Sequence, residues 1–192
     1  MNRRKPGTVR IIGGRWRGRR LPVADHPGLR PSGDRCRETL FNWLAPQLRG
    51  ARCADLFAGT GALGLEAASR GAASVVLVEK AAVAARALRE NVALLTERDD
   101  AASIEVVQGD ALQWLADCAD ARLDLVFLDP PFDAGLEAEA MELLRGGECL
   151  PPGGLVYVET ARQANEFTPD TAWDVLKYKT LGDVRMRLLK KN

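Results

Sequence analysis

Residues 53–64 read Cys-Ala-Asp-Leu-Phe-Ala-Gly-Thr-Gly-Ala-Leu-Gly, a short apolar run stopped by an acid and followed by three glycines at positions 59, 61 and 64. That spacing lets a chain turn tightly from a strand into a helix and approach a ligand closely, with the first helical N–H groups facing it. The rest of the chain repeats the alternation of strand and helix. Strand-like runs are CADLF (53–57), SVVLVE (74–79), IEVVQ (104–108), LDLVFLD (123–129) and GLVYVE (154–159). They are nearly continuous in apolar residues, as strands covered on both faces must be. Helical stretches fall near Ala62–Arg70, Ala81–Leu95, Ala111–Ala116 and Leu136–Leu144. The fold class is therefore α/β, with a doubly wound, mostly parallel, Rossmann-like sheet. The closing stretch TAWDVLKYKTLGDVRMRLL (171–189) reads as two strands joined at Gly182-Asp183, an antiparallel hairpin that completes seven strands at the sheet edge. Neither an internal repeat nor a low-complexity tract is present.

At 192 residues and 46% hydrophobic content, the chain suits one domain with a full core and a small appendage. No run is long enough to span a bilayer, and the arginine-rich start lacks the apolar block of a secretory signal, so a cytoplasmic protein is expected. Cys36, Cys53, Cys118 and Cys149 are isolated in sequence, and the one histidine, His26, lies in the loop-like segment ADHPGLRP. Zinc ligation, a disulfide framework and a histidine-based triad all lack support; reduced, inert thiols and no metal are expected.

The net charge of +1 conceals an asymmetry: residues 1–37 hold eleven Lys/Arg against Asp25 and Asp34, whereas the remainder has sixteen basic and twenty-four acidic residues. A polyanion-binding arm on a mildly acidic body follows. Within it, TVRIIGGRWRGRRLPV (8–23) reads as a hairpin, with a strand from Thr8 to Ile12, Gly13-Gly14 as the turn and a second strand ending at Pro22. A loop from Pro22 to Pro31 precedes a helix through RCRETLFNWL, capped by Ser32 or Asp34 and striped by Leu40, Phe41 and Leu44. Residues 1–31 form the arm and 32–192 the catalytic-type domain. Arg10, Arg15, Arg17, Arg19 and Arg20 are candidate phosphate contacts. Trp16 either stacks on a base or packs the hairpin, and Arg35 and Arg37 either face the mouth of the site or lie on a solvated helix face. Trp43, Trp114 and Trp173 read as core or helix-face residues.

The glycine loop admits two ligands, NAD or S-adenosylmethionine. A pyrophosphate would be repelled by a nearby carboxylate, whereas the α-ammonium of the methionine cofactor would be attracted, so Asp55 favours the latter. Glu79, ending the second strand of the series twenty positions after Gly59, can accept from both ribose hydroxyls. Asp110 can accept from the adenine amine, cap the following helix, or do both. The expected cofactor set is Asp55, Phe57, Ala58, Gly59, Thr60, Gly61, Glu79, Lys80, Asp110 and Ala111.

Asp129-Pro130-Pro131-Phe132 ends the run LDLVFLDPPF. Two prolines stiffen the strand end; the Asp129 carboxylate and the Pro130 carbonyl can each accept from an NH2 group, and Phe132 offers a face for a planar base. A strand-ending turn explains the four residues equally well in isolation. Beside a sulfonium cofactor they read as a catalytic grip on an exocyclic amine.

Taken together, these motifs resemble the class I S-adenosylmethionine-dependent methyltransferases that modify amines through an (Asp/Asn)-Pro-Pro-aromatic motif. More closely, the chain resembles the bacterial RsmD family, with RIIGGRWRGRRLPV, RPSGDRCRETLFNWL, DLFAGTGALGLEAASRG, LVEK, GDA and DPPF in the family's order. The resemblance implies methylation of N2 of one guanine in 16S ribosomal RNA, within an assembled or assembling small subunit; a monomer is expected. Phe132 stands where many amine methyltransferases have tyrosine, which keeps stacking and forgoes a hydroxyl contact. The four residues themselves serve guanine N2 or adenine N6 alike, so adenine-N6 methylation of DNA or RNA is the alternative. A non-catalytic RNA-binding assembly factor and an NAD-dependent oxidoreductase are further alternatives.

Overall fold

A computed structural model describes residues 7–23, 33–97, 102–118, 121–131, 135–164 and 169–192. A two-stranded antiparallel ladder pairs β1 (Thr8–Arg10) with β2 (Arg20–Pro22). Then come α1 (Asp34–Leu44), β3 (Arg52–Asp55), α2 (Gly64–Ser69), β4 (Ser74–Glu79) and α3 (Ala82–Thr96). The chain continues through β5 (Ser103–Gln108), α4 (Ala111–Asp117), β6 (Leu125–Leu128), α5 (Leu136–Gly146), β7 (Leu155–Ala161), β8 (Trp173–Leu181) and β9 (Val184–Lys191).

Seven strands form one sheet in the order β5-β4-β3-β6-β7-β9-β8, parallel from β5 to β7, with β9 antiparallel to both of its neighbours and the edge strand β8 again running in the direction of β7. Strand order runs outward from β3 to β5 on one side and from β6 on the other, so it reverses between β3 and β6. The central strands have the expected pattern: all four residues of β6 and six of the seven in β7 are buried. One face packs Leu40, Phe41, Leu65, Leu88, Phe127 and Tyr157; the other packs Leu56, Leu115, Val126, Met141 and Val156. All four cysteines are buried free thiols. Among the described residues, no helix is long and apolar enough to cross a membrane.

The arm differs from expectation in two respects. Gly13-Gly14 is not by itself the hairpin turn but the start of a longer reversal. Pairing extends past β1 through Ile11, which donates to Arg19 O and accepts from Gly18, and the turn bonds run from Arg17 N to Gly14 O and from Arg19 N to Trp16 O. Gly14, at φ +77°, is instead needed because any side chain there would run into the Ser69 carbonyl. Asp34 is the first helical residue rather than the cap; the cap position is Gly33, without a side-chain bond, and Asp34 pairs with Arg37 at 2.6 Å and Arg10 at 3.0 Å. Ser32, His26 and most of the Pro22–Pro31 loop lie outside the described residues.

Val9, Ile11, Trp16 and Leu21 of the arm belong to the same apolar core as the sheet face they cover. The polar attachment centres on Glu66 of α2, which is fully buried. Its carboxylate accepts from Ile12 N and Gly13 N at 2.7 Å each and from Arg70 Nε at 2.6 Å, with Arg37 Nη1 at 3.6 Å. Ser69 Oγ donates to Gly13 O and accepts from Trp16 N. The arm's reversal is thereby fastened to one short helix more than fifty residues further along the chain.

Candidate active site

Four adjacent strands carry an acid at or just beyond their carboxyl ends, Asp110 after β5, Glu79 on β4, Asp55 on β3 and Asp129 after β6, and the fifth, β7, carries Glu159 two residues before its end. In an open parallel sheet this edge, beside the point where the strand order reverses, is where ligands bind.

Asp55 is 2% exposed, and its Oδ2 accepts from Gly64 N at 2.9 Å. That bond ties the strand end to the first turn of α2 across the glycine loop. Burial, opposed by the Gly64 bond and reinforced by the charges of Asp129 and Glu79, pushes its carboxyl up to about 7. Gly59 and Gly61 adopt φ of +51° and +76°, left-handed conformations that other residues avoid. A Cβ on Gly61 would collide with Leu65 and Leu88, and one on Gly64 with the Leu77 side chain.

Glu79 holds the loop from the other side. Its Oε2 accepts from Gly59 N at 2.9 Å and its Oε1 from Ala81 N at 2.7 Å. Each oxygen retains a second acceptor site. Asp110 caps α4, its Oδ1 accepting from Leu112 N and Gln113 N, while Oδ2 faces Lys80 Nζ at 3.1 Å. The Lys80 contact and the cap bonds hold its carboxyl below the usual range. Phe57 is half-buried; Ala58, Thr60 and Ala111 are buried in the loop and helix start.

Asp129 leaves β6 between Asp55 and Glu159, close enough to raise the protonation range of both. Pro130 is buried and Pro131 exposed. Phe132, expected to stack on the base, lies outside the described residues.

Burial bears on two residues whose roles the sequence leaves open, favouring packing for Trp16 and neither alternative for Arg37. Arg37 is 1% exposed, its guanidinium lying between Asp34 of its own helix and Glu66 of α2, so it is engaged by two protein acids and not set on a solvated helix face. Trp16 is 4% exposed and packs in the core, with Arg15 over its ring at 5.8 Å. Arg10, Arg15, Arg17, Arg19, Arg20 and Arg35 are exposed. A cavity of about 340 Å³ opens between hairpin and α1, lined by Arg10, Arg20, Gly33, Asp34 and Arg37 among others.

Sequence alone does not single out Glu66 or Glu159. Glu66 sits on a helix and looks like any solvated acid until the arm is folded over it. Glu159 has a usable signal, being a strand-end acid like Glu79. It is 3% exposed and accepts from the Tyr157 hydroxyl at 2.7 Å. Burial and the charge of Asp129, against the Tyr157 bond, push its carboxyl up to about 8.

A parallel sheet extended by an antiparallel strand inserted before the edge, with a glycine loop leaving its central strand toward a row of acids, is the class I methyltransferase fold. Residues 9–190 match the family described as Conserved hypothetical protein 95, and the chain belongs to that family. It is 45% identical over 185 residues to ribosomal RNA small subunit methyltransferase D of Escherichia coli K12, covering 96% of this chain and 91% of the relative. The protein of the same name from Haemophilus influenzae is 45% identical over 183 residues, with 95% and 93% covered. The solved structure of yhhF from Escherichia coli superposes with a TM-score of 0.87 at 42% identity, covering 97% of this chain and 99% of that one.

Proposed function

We propose that this protein transfers a methyl group from S-adenosylmethionine to the exocyclic N2 amine of a guanine in 16S ribosomal RNA. The observation that carries the reading is the adjacency of Asp55 and Asp129 on neighbouring parallel strands, which puts a cation-seeking acid beside an amine-accepting one. The names of the relatives support the ribosomal RNA substrate.

The cofactor, when bound, supplies an electrophilic methyl group on a sulfonium. The residues present fit it: a carboxyl buried without a cationic partner among the described residues suits an ammonium, and the left-handed Gly59 and Gly61 give the tight strand-to-helix turn beside it. Glu79 would take the ribose hydroxyls on its remaining acceptor sites, and Asp110, next to Lys80 and Ala111, the adenine amine.

An amine on an aromatic ring is a weak nucleophile because its lone pair is delocalised. Asp129 and the Pro130 carbonyl would accept its two N–H bonds, draw the lone pair out of the ring and stabilise the positive charge that grows on nitrogen. Losing such a preorganised contact costs on the order of 100- to 1000-fold in rate. Pro131 holds the turn rigid, Phe132 fixes the ring plane, and orientation supplies much of the remainder. Residues 1–31 act as the RNA-binding arm, with Arg10, Arg15, Arg17, Arg19, Arg20 and, from α1, Arg35 on the phosphates.

The test is methyl-labelled cofactor with small-subunit RNA, free and in assembled particles, followed by nucleoside analysis. Label in N2-methylguanosine is expected. Label in N6-methyladenosine, or none, would refute the reading. Asp129→Ala should keep cofactor affinity and abolish transfer; equal loss of both would move Asp129 into the cofactor site.

A further inference from the structure

Glu159 follows Tyr157 and Val158 on β7, and the β6–β7 register pairs Phe127 with Tyr157 and Leu128 with Val158. Continued by one residue, that register sets Glu159 beside Asp129, and residues level with each other on adjacent strands face the same way. Both lie under α1, where the Cys36 thiol is raised by burial and by the charges of Glu159 and Asp129. Tyr157 is fully buried, its ring edge-on to Phe127 at 6.5 Å, so the hydroxyl that bonds Glu159 Oε2 has a fixed direction. Among the described residues, no Lys or Arg forms an ion pair with Glu159, and Tyr157 is its hydrogen-bond partner. A nearly buried carboxyl without a countercharge is costly and adds nothing to the sheet. Its place next to the amine grip gives it a use.

We infer that Glu159, held by Tyr157, reads the pairing edge of the target base and selects guanine over adenine. The inference rests on the proposed amine transfer at Asp129. Beside its N2 amine guanine presents N1–H, a donor; beside its N6 amine adenine presents a bare N1, an acceptor. With the amine on Asp129 and Pro130, the neighbouring carboxyl meets N1. Tyr157 engages Oε2, which leaves Oε1 to accept. This is also true of the neutral acid with its proton on Oε2, since the tyrosine oxygen can take that bond. Guanine N1–H satisfies Oε1, whereas adenine sets lone pair against lone pair. A site built to bond one substrate hydrogen rejects an analogue lacking it by a factor on the order of 10⁴.

The probe is small-subunit RNA carrying either guanine or 2-aminopurine at the modified position. 2-Aminopurine keeps the 2-amine but has an unprotonated N1. The wild-type protein is expected to prefer guanine by at least roughly 100-fold in kcat/KM. In Glu159→Gln, the amide oxygen takes the Tyr157 bond and an N–H turns to the base. Guanine transfer should then fall roughly 100-fold while 2-aminopurine transfer holds or rises, bringing the ratio within about tenfold of unity. Tyr157→Phe keeps the ring packing and should move the ratio part of the way; it carries the test if the Gln variant does not fold. Cofactor affinity should be unchanged in both. Equal loss on both bases, or a wild-type protein indifferent to the two, overturns the inference and leaves the proposed reaction standing. A wild-type protein that makes no N2-methylguanosine defeats the proposed reaction instead.

Discussion

Replacing Asp55 with Asn tests whether the cofactor loop is built around a carboxylate kept at a thermodynamic disadvantage. Burial raises the Asp55 carboxyl from 3.8 to about 7. Between those values the folded protein holds a proton that the unfolded chain has released, so wild-type stability falls as pH rises, by up to about 1.4 kcal/mol per unit. Above pH 7 the whole disadvantage is present, on the order of 4 kcal/mol at about 1.36 kcal/mol per unit of displacement. Asn can accept the Gly64 N–H through its amide oxygen and has no charge to bury. Asp55→Asn should therefore match the wild-type protein near pH 4 and exceed it in stability by a margin that widens to pH 7 and then levels. Urea unfolding of both proteins at half-unit pH steps measures that margin directly, because all other titrating groups are common to the two. The same variant should lose affinity for S-adenosylmethionine by roughly 10- to 100-fold, the value of a hydrogen bond to a charged group. A stability margin independent of pH would refute the reasoning, since it would mean that Asp55 ionises at its ordinary pH in the folded protein.

Glu66→Gln leaves the Arg37 guanidinium buried beside a neutral amide and removes one of the acceptors for Ile12 N and Gly13 N. A loss of about 3–5 kcal/mol is expected in urea unfolding, as for other broken buried pairs. Hydrogen exchange should show the Ile12 and Gly13 amides losing protection; unchanged protection there would mean that Glu66 does not hold the arm. Neutralising Arg15, Arg17, Arg19 and Arg20 together should weaken RNA binding and flatten its salt dependence by about one unit of slope for each phosphate no longer paired with a guanidinium. An unchanged slope would show that the hairpin does not touch the backbone of the RNA.

The residues that sequence makes legible are those determined by their neighbours along the chain. SVVLVE is Ser74–Glu79 to the residue because a run buried on both faces is apolar throughout, and Gly182 with φ +59° closes β8–β9 where its turn chemistry predicts. The acids at strand ends stand out because each interrupts an apolar run. Features that depend on distant partners do not stand out. Gly13-Gly14 has the composition of a turn, yet Gly14 answers to Ser69, fifty-five residues away. An arginine-rich arm invites an RNA-contacting role for Arg37 and Trp16; their burial follows from Glu66 and from the core beneath the hairpin, which no local pattern announces. Glu159 carries the same signal as Glu79, an acid closing an apolar run, but its significance comes from Asp129 on the neighbouring strand, which the run itself does not announce.

The attachment at Glu66 alters how deletions of this protein should be interpreted. Removing residues 1–31 at the apparent domain boundary would strip Val9, Ile11, Trp16 and Leu21 from the core and take Ile12 N and Gly13 N from the buried Glu66 carboxylate, leaving it Arg70 and Arg37. Gly64, which ties Asp55 to the cofactor loop, begins the same six-residue helix that bears Glu66. A truncated chain that fails to methylate would thus report a damaged fold and the loss of the proposed RNA arm at once, and the two could not be told apart. Point changes on the exposed arginines, which leave the hairpin seated, are the way to isolate what the arm contributes to recognition.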